Sequence, residues 1–252
     1  MHNGAYWRHV FLDAFVKELH ALQHATVHRL LPTFGDIASE ADAVAQAKFD
    51  DLGRSFCESD MGDAAETAHE EGLEHYQRLT AVRQGLLNLM TAGMYQLFEQ
   101  QVATFTRRQL LTIYEERDAA FVRQISAPGR IIRELKQRLD EEGIDVERLR
   151  TWKTIEELRL VANTIKHGVG RSADELFERK PLLFLTPELR PTEIHGMEDS
   201  NQQLLLPKAR QTPRVDRPLG GEDLYITAAD LSDYTEAVVQ FWRDLGDAIT
   251  AG

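Results

Sequence analysis

A mainly α-helical bundle is the fold this sequence predicts, on three observations. Apolar residues recur at helical spacing over most of the chain. Strand-like alternation is almost absent. Five of the eight prolines gather in one long stretch, residues 186–221, which is where helical pattern is weak. Two parts are expected: residues 1–60 as an N-terminal helical part packed on the bundle, and residues 61–252 as the main helical domain.

Trp7 to Leu31 predicts a long amphipathic helix with Phe11, Phe15, Leu19, Leu22 and Leu30 on its apolar side, and Pro32 at its end. A more polar helix follows from about Gly35 to Phe56. The next begins near Gly62 and continues towards Tyr114, carrying Leu79, Leu86, Met90, Met94, Leu97, Val102 and Phe105; Gly85 and Gly93 are its expected weak points. Tyr114 to Ile125 continues it or forms a further helix. After Pro128 and Gly129, Arg130 to Glu142 forms a short charged helix stopped by Gly143. Asp145 is the expected cap of the helix ending at His167. Ser172 with Glu175 has the spacing of a capping box for the next one, Ala173 to Arg179. Within the irregular 186–221 loop and just after it, Leu204–Leu206 and Leu224–Ile226 are the stretches suited to a short two-stranded ribbon. Thr227 or Asp230 opens a last amphipathic helix through Val238, Phe241, Trp242, Leu245 and Ile249.

Composition narrows the function classes. The net charge is −12, from 29 basic and 41 acidic residues. It divides into −8 over residues 1–80, +2 over 81–185 and −6 over 186–252. A non-specific duplex binder carries the opposite sign, so any nucleic acid is expected at the middle of the chain. No apolar run approaches the ~20 residues that span a bilayer. One cysteine, Cys57, and the lack of a secretory-type N-terminal pattern lead to the expectation of a cytoplasmic protein without a membrane partner.

Several groups of residues are candidate sites. His20, His24 and His28 follow one another at i+4, a spacing that lets imidazoles share a metal. No cysteine is near and a carboxylate would have to come from another helix, so no metal or other cofactor is assigned. His69 and His75 are six apart and face different ways, and Glu71 with His75 has the spacing of a surface pair. Gly168 and Gly170 follow a helix and read as its C-cap, not as a phosphate loop. Lys208, Arg210, Arg214 and Arg217 form a basic cluster in the long loop, suited to solvent, RNA or an acidic partner.

The densest polar pattern is Glu157 to Leu176. Arg159, Asn163 and His167 are successive i+4 neighbours, about 40° apart, and share one helix face with Lys166 beside them. His167 falls in the last turn of the helix, and imidazole is the side chain suited to proton transfer near neutral pH. Cleaving RNA without metal needs a group to manage the 2′-hydroxyl proton and cations to hold the phosphate. His167 suits the first task; Arg159, Lys166 and Arg171 suit the second. The same face can equally serve as the polar side of an ordinary bundle helix.

Three passages together resemble the HEPN superfamily of helical proteins, common in prokaryotic toxin–antitoxin, abortive-infection and antiviral systems. They are Leu86 to Glu99, with an aromatic-Glu ending; Glu157 to His167; and Leu224 to Tyr234 with the final helix. The resemblance covers most of residues 60–252 in order. It implies a homodimer in which two Arg-x4-6-His motifs meet as one metal-independent endoribonuclease site. Asn163 matches that motif's polar residue and His167 its histidine, while the arginine's place falls on Ala162. Arg159, with seven residues between it and His167, lies on the same face. The functions expected are therefore an antiviral or toxin-type component acting on RNA, with His167, Asn163 and Arg159 catalytic and Lys166 and Arg171 on the phosphate, or a non-catalytic interaction subunit that binds a protein partner.

Overall fold

The structure, a computed structural model, describes residue 7 and residues 11–54, 61–127, 129–190, 215–221 and 223–251. Nearly all of them lie in helices, and no strand occurs among the described residues. Helix α1 (Asp13–Ala25) buries Phe15 and Leu19. It then passes through a π-helical turn, Thr26–Leu30, into a 3-10 turn at Leu31–Phe34. That wider turn shifts the helical phase. The expected stripe residue Leu30 is consequently exposed, and Leu31 is buried in its place.

Helix α2 (Ile37–Gly53) starts at Asp36, whose carboxylate accepts from the Ala38 and Ser39 N–H groups, both at 3.1 Å. The Ser39 hydroxyl donates to the same carboxylate at 2.7 Å, and these bonds hold the Asp36 carboxyl below its ordinary pKa. Helix α2 packs on the first half of α3 (Met61–Phe105) through alanine and glycine. A Cβ on Gly72 would stand 2.8 Å from the Ala45 Cβ and 2.9 Å from the Ala41 carbonyl oxygen. Small residues thus let the two backbones approach closely.

Helix α3 runs unbroken for 45 residues, or ~68 Å, and neither Gly85 nor Gly93 interrupts it. Its second half is supported by α1, by α7 (Trp152–His167) and by α9 (Ala228–Ala251). It leaves the helical path at Leu111 after a π-helical turn, Thr106–Leu110. Three short helices follow: α4 (Ile113–Arg117), α5 (Ala119–Ile125) and α6 (Arg130–Glu141). Thr112 and Glu115 make a reciprocal capping box on α4, and Arg138 of α6 clamps Glu115 at 2.6 Å and Glu134 at 2.8 Å.

Two expected caps are corrected. Asp145 caps a 3-10 turn, Val146–Arg148, and α7 begins only at Trp152. Ser172 lies inside α8 (Arg171–Arg179), whose first turn has no side-chain cap, and Glu175 instead pairs with Arg179. Thr227 and Asp230 act together, not as alternatives: the Thr227 N–H donates to Asp230 at 2.8 Å and the Asp230 N–H donates to the Thr227 hydroxyl at 3.1 Å. Leu224–Ile226 belongs to neither helix nor strand and is tied by a bond from the Tyr225 N–H to the Leu183 carbonyl. Its suggested ribbon partner, Leu204–Leu206, lies outside the described residues, as do Cys57, Lys208, Arg210 and Arg214.

The core is aromatic where α1, α3 and α9 meet. Trp7 lies 4.5 Å from Phe105, Phe15 5.2 Å from Trp242, and Phe98 5.3 Å from Phe241 between ring centroids. Buried Gln101 completes it: its Oε1 accepts from the Trp242 indole at 2.8 Å, and its amide donates to the Phe15 carbonyl at 3.2 Å. α1 therefore shares one core with the helices of the main domain.

Candidate functional site

Helix α7 is shaped by what it buries. Leu158, Leu160, Val161, Ala162 and Ile165 are enclosed, leaving Arg159, Asn163, Lys166 and His167 on the outer side. Those four line one cleft of about 580 Å³. Its opposite wall is α3, through Tyr95, Gln96, Glu99 and Gln100, and Gly129 also lines it. Ala162 is 0% exposed. A side chain at that position points into the core, so a cation for this cleft has to come from a neighbouring turn, as Arg159 does.

The charged groups are arranged unequally. The Arg159 Nε donates to Glu156 at 3.0 Å, which leaves the far end of the guanidinium for the cleft. The Lys166 ammonium reaches the Gln96 side-chain oxygen at 3.4 Å. His167 is exposed in the last turn, and the helix stops at Gly168 (φ 68°), whose N–H donates to the Thr164 carbonyl at 2.8 Å. Arg171 is exposed at the start of α8 and lines neither this cleft nor the next one.

Glu99 and Tyr95 were not singled out as site residues from the sequence. Their signal was the i, i+4 spacing of Tyr95 and Glu99 on the long helix. Burial raises the Glu99 carboxyl above its ordinary pKa, against the opposing pull of Lys166 and of hydrogen bonds from the Tyr95 hydroxyl and the Gly129 N–H. Burial and the nearby Glu99 charge likewise raise the Tyr95 phenol. The cleft thus offers two cations, three amides, an exposed imidazole and a carboxyl that holds its proton more firmly than usual.

A second cleft of about 650 Å³ lies on the other side of Lys166 and His167. Its far wall is the segment 215–221, which runs back across α3. Asn88 of α3, fully buried, fixes this strap. Its amide donates to the Pro218 and Leu224 carbonyls at 2.6 and 2.7 Å, and its oxygen accepts from Gln84 at 3.0 Å and from the Ile226 N–H at 3.4 Å. Arg190 holds the adjacent segment, pairing with Asp230 at 3.3 Å and donating to the Tyr225 carbonyl.

The histidine groups do not converge. His20 bonds Glu236 at 3.1 Å, and the His24 and His28 rings lie 4.8 Å apart on the surface. His75 bonds Glu40 of α2 at 2.9 Å, and not Glu71, which instead faces Arg78 at 3.7 Å. Among the described residues no group of three or more His, Cys, Asp or Glu side chains is placed to hold a metal ion. Nor is any described helix long and apolar enough to cross a membrane.

Comparison with protein-family models, curated proteins and solved structures gives no match to this chain.

Proposed function

We propose that the Arg159–His167 cleft binds the phosphodiester backbone of RNA and cleaves it without a metal, as a HEPN-like component of a prokaryotic antiviral or toxin-type system. One observation carries this reading: Arg159, Asn163, Lys166 and His167 line the same cleft. In this mechanism His167 takes the 2′-hydroxyl proton and the 2′ oxygen attacks the adjacent phosphorus. The bond to the 5′ oxygen then breaks, leaving a 2′,3′-cyclic phosphate. Arg159 and Lys166 neutralise the charge that develops on the phosphoryl oxygens, and Asn163 orients them. Glu99 is the second proton-carrying group of the cleft and returns a proton to the leaving oxygen. The resemblance adds a second copy of the chain facing the first across this site.

The deciding experiment incubates single-stranded RNA with the purified protein in EDTA, wild type beside His167→Ala. Cleavage that survives the chelator and disappears in the variant supports the reading. Intact RNA with the wild type, together with RNA binding that Arg159→Ala and Lys166→Ala leave unchanged, overturns it. The alternative, a non-catalytic subunit that binds a protein partner, is favoured by the apolar surface beside the second cleft.

A further inference from the structure

Four aliphatic side chains stand exposed around the strap: Val82 is 58% exposed, Leu89 50%, Leu219 50% and Val169 57%. Two relations group them around the place where the strap crosses α3. The Leu219 carbonyl crosses α3 at Gly85. Val82 and Leu89, three residues before and four after Gly85, lie within about 60° of it on the helix. Leu219 and Val169 in turn both line the second cleft. The shelf is rigid, because Asn88 holds the strap through the Pro218 and Leu224 carbonyls and the Ile226 N–H. A pre-formed apolar surface loses little freedom when it is covered.

Charge indicates what covers it. Lys166, His167 and Arg217 line the cleft beside the shelf, and Arg171 follows Val169 by two residues. Asp216 is the one acid among the described lining residues. We propose that this shelf docks an acidic amphipathic helix of a protein partner, its apolar face on Val82, Leu89, Leu219 and Val169 and its carboxylates towards Lys166 and Arg171. A second copy docked shelf to shelf is disfavoured because a two-fold interface pairs this patch with itself, and Asp216 is the one acid lining the cleft to face its cations. RNA is disfavoured because the shelf has no aromatic ring on which a base can stack. The docked helix lies next to His167, so the partner covers one side of the candidate site. The inference stands on the shelf alone and holds whether or not the protein cleaves RNA.

The test uses a labelled synthetic helix of roughly 20 residues, long enough to be partly helical in water. It carries leucines on one face and glutamates flanking them; a control replaces every glutamate by lysine. Fluorescence anisotropy measures binding to the wild type, to Leu219→Glu, to Val169→Asp and to Tyr114→Glu. Tyr114 is an exposed residue outside both clefts, 86% accessible, and serves as the control site. All three substituted side chains are at least half exposed, and circular dichroism checks that each variant is folded. The glutamate peptide is expected to bind at least about tenfold tighter than the lysine peptide. Leu219→Glu and Val169→Asp are expected to weaken it by a similar factor, with Tyr114→Glu unchanged. Equal binding of both peptides, or no loss in the shelf variants, overturns the proposal. So do shelf variants that weaken single-stranded RNA but not the peptide, or a concentration-dependent dimer that Leu219→Glu abolishes. Cleavage activity is read separately with His167→Ala, so failure of one proposal leaves the other standing.

Discussion

The carbonyl oxygen of Leu219 rests against Gly85 so closely that a Cβ there would stand 1.8 Å from it. A glycine that looks from the sequence like a flaw in a long helix is the place where the strap crosses. Alanine gains up to ~1 kcal/mol over glycine in a helix interior, but backbone has to move to admit it here. We therefore expect Gly85→Ala to destabilise the protein by about 1–3 kcal/mol, as overpacked sites do, read as a lower urea midpoint. Gly93→Ala, with nothing within 4 Å of its Cβ, is expected to be neutral or stabilising.

Asn88→Ala removes the partner of the Pro218 and Leu224 carbonyls and of the Ile226 N–H inside the protein. Leaving such groups unsatisfied costs on the order of 3 kcal/mol. Faster amide exchange at residues 219–226, with the aromatic core still protected, would locate the loss. Uniform loss of protection would show that the strap is not a separate unit.

At the candidate site, His167→Ala is expected to lower RNA cleavage by about 10²–10⁴-fold, the usual contribution of an acid–base group. The thermal midpoint should stay within a degree or two, because His167 is exposed. Arg159→Ala should weaken RNA binding and flatten its salt dependence by about one phosphate contact.

Acid stability isolates the Arg138 clamp. Hydrogen bonding to Arg138, with the Thr112 cap, lowers the Glu115 carboxyl from 4.5 to about 2. A carboxyl depressed in the folded state stabilises the protein above its unfolded pKa, and that stability is lost as the pH falls from about 4.5 to about 2. Because Glu115 is 30% exposed, the contribution after solvent screening is no more than ~2 kcal/mol. Glu115→Gln should therefore be less stable than wild type at pH 6, with the gap shrinking towards pH 2. A gap that does not change with pH would assign the loss to the cap geometry instead.

Glu99 has the opposite sign. Burial raises its carboxyl, so its ionised form destabilises the fold above that raised pKa and the penalty fades as the group protonates. Glu99→Gln, whose amide oxygen can still accept from Tyr95 and Gly129, is expected to be more stable than wild type above that raised pKa and to lose the advantage as the pH falls through it. If Glu99 also returns the proton in cleavage, the same variant loses activity while gaining stability.

The sequence by itself determined the helical class, the apolar faces of α1 and α9, the stop at Gly168 and the shared face of Arg159, Asn163, Lys166 and His167. All of these follow from spacing within one helix, where about 100° per residue decides which side chains are neighbours. It misplaced Leu30 and the Asp145 cap, because a π-helical turn or a 3-10 turn shifts phase by a residue without a distinct composition, and the Ser172 box, because α8 already starts at Arg171. Only the tertiary structure set Tyr95 and Glu99 across from His167, enclosed Ala162, and laid the strap over Gly85. Those pairings join residues tens of positions apart, and close packing between helices, not local periodicity, decides which of them meet.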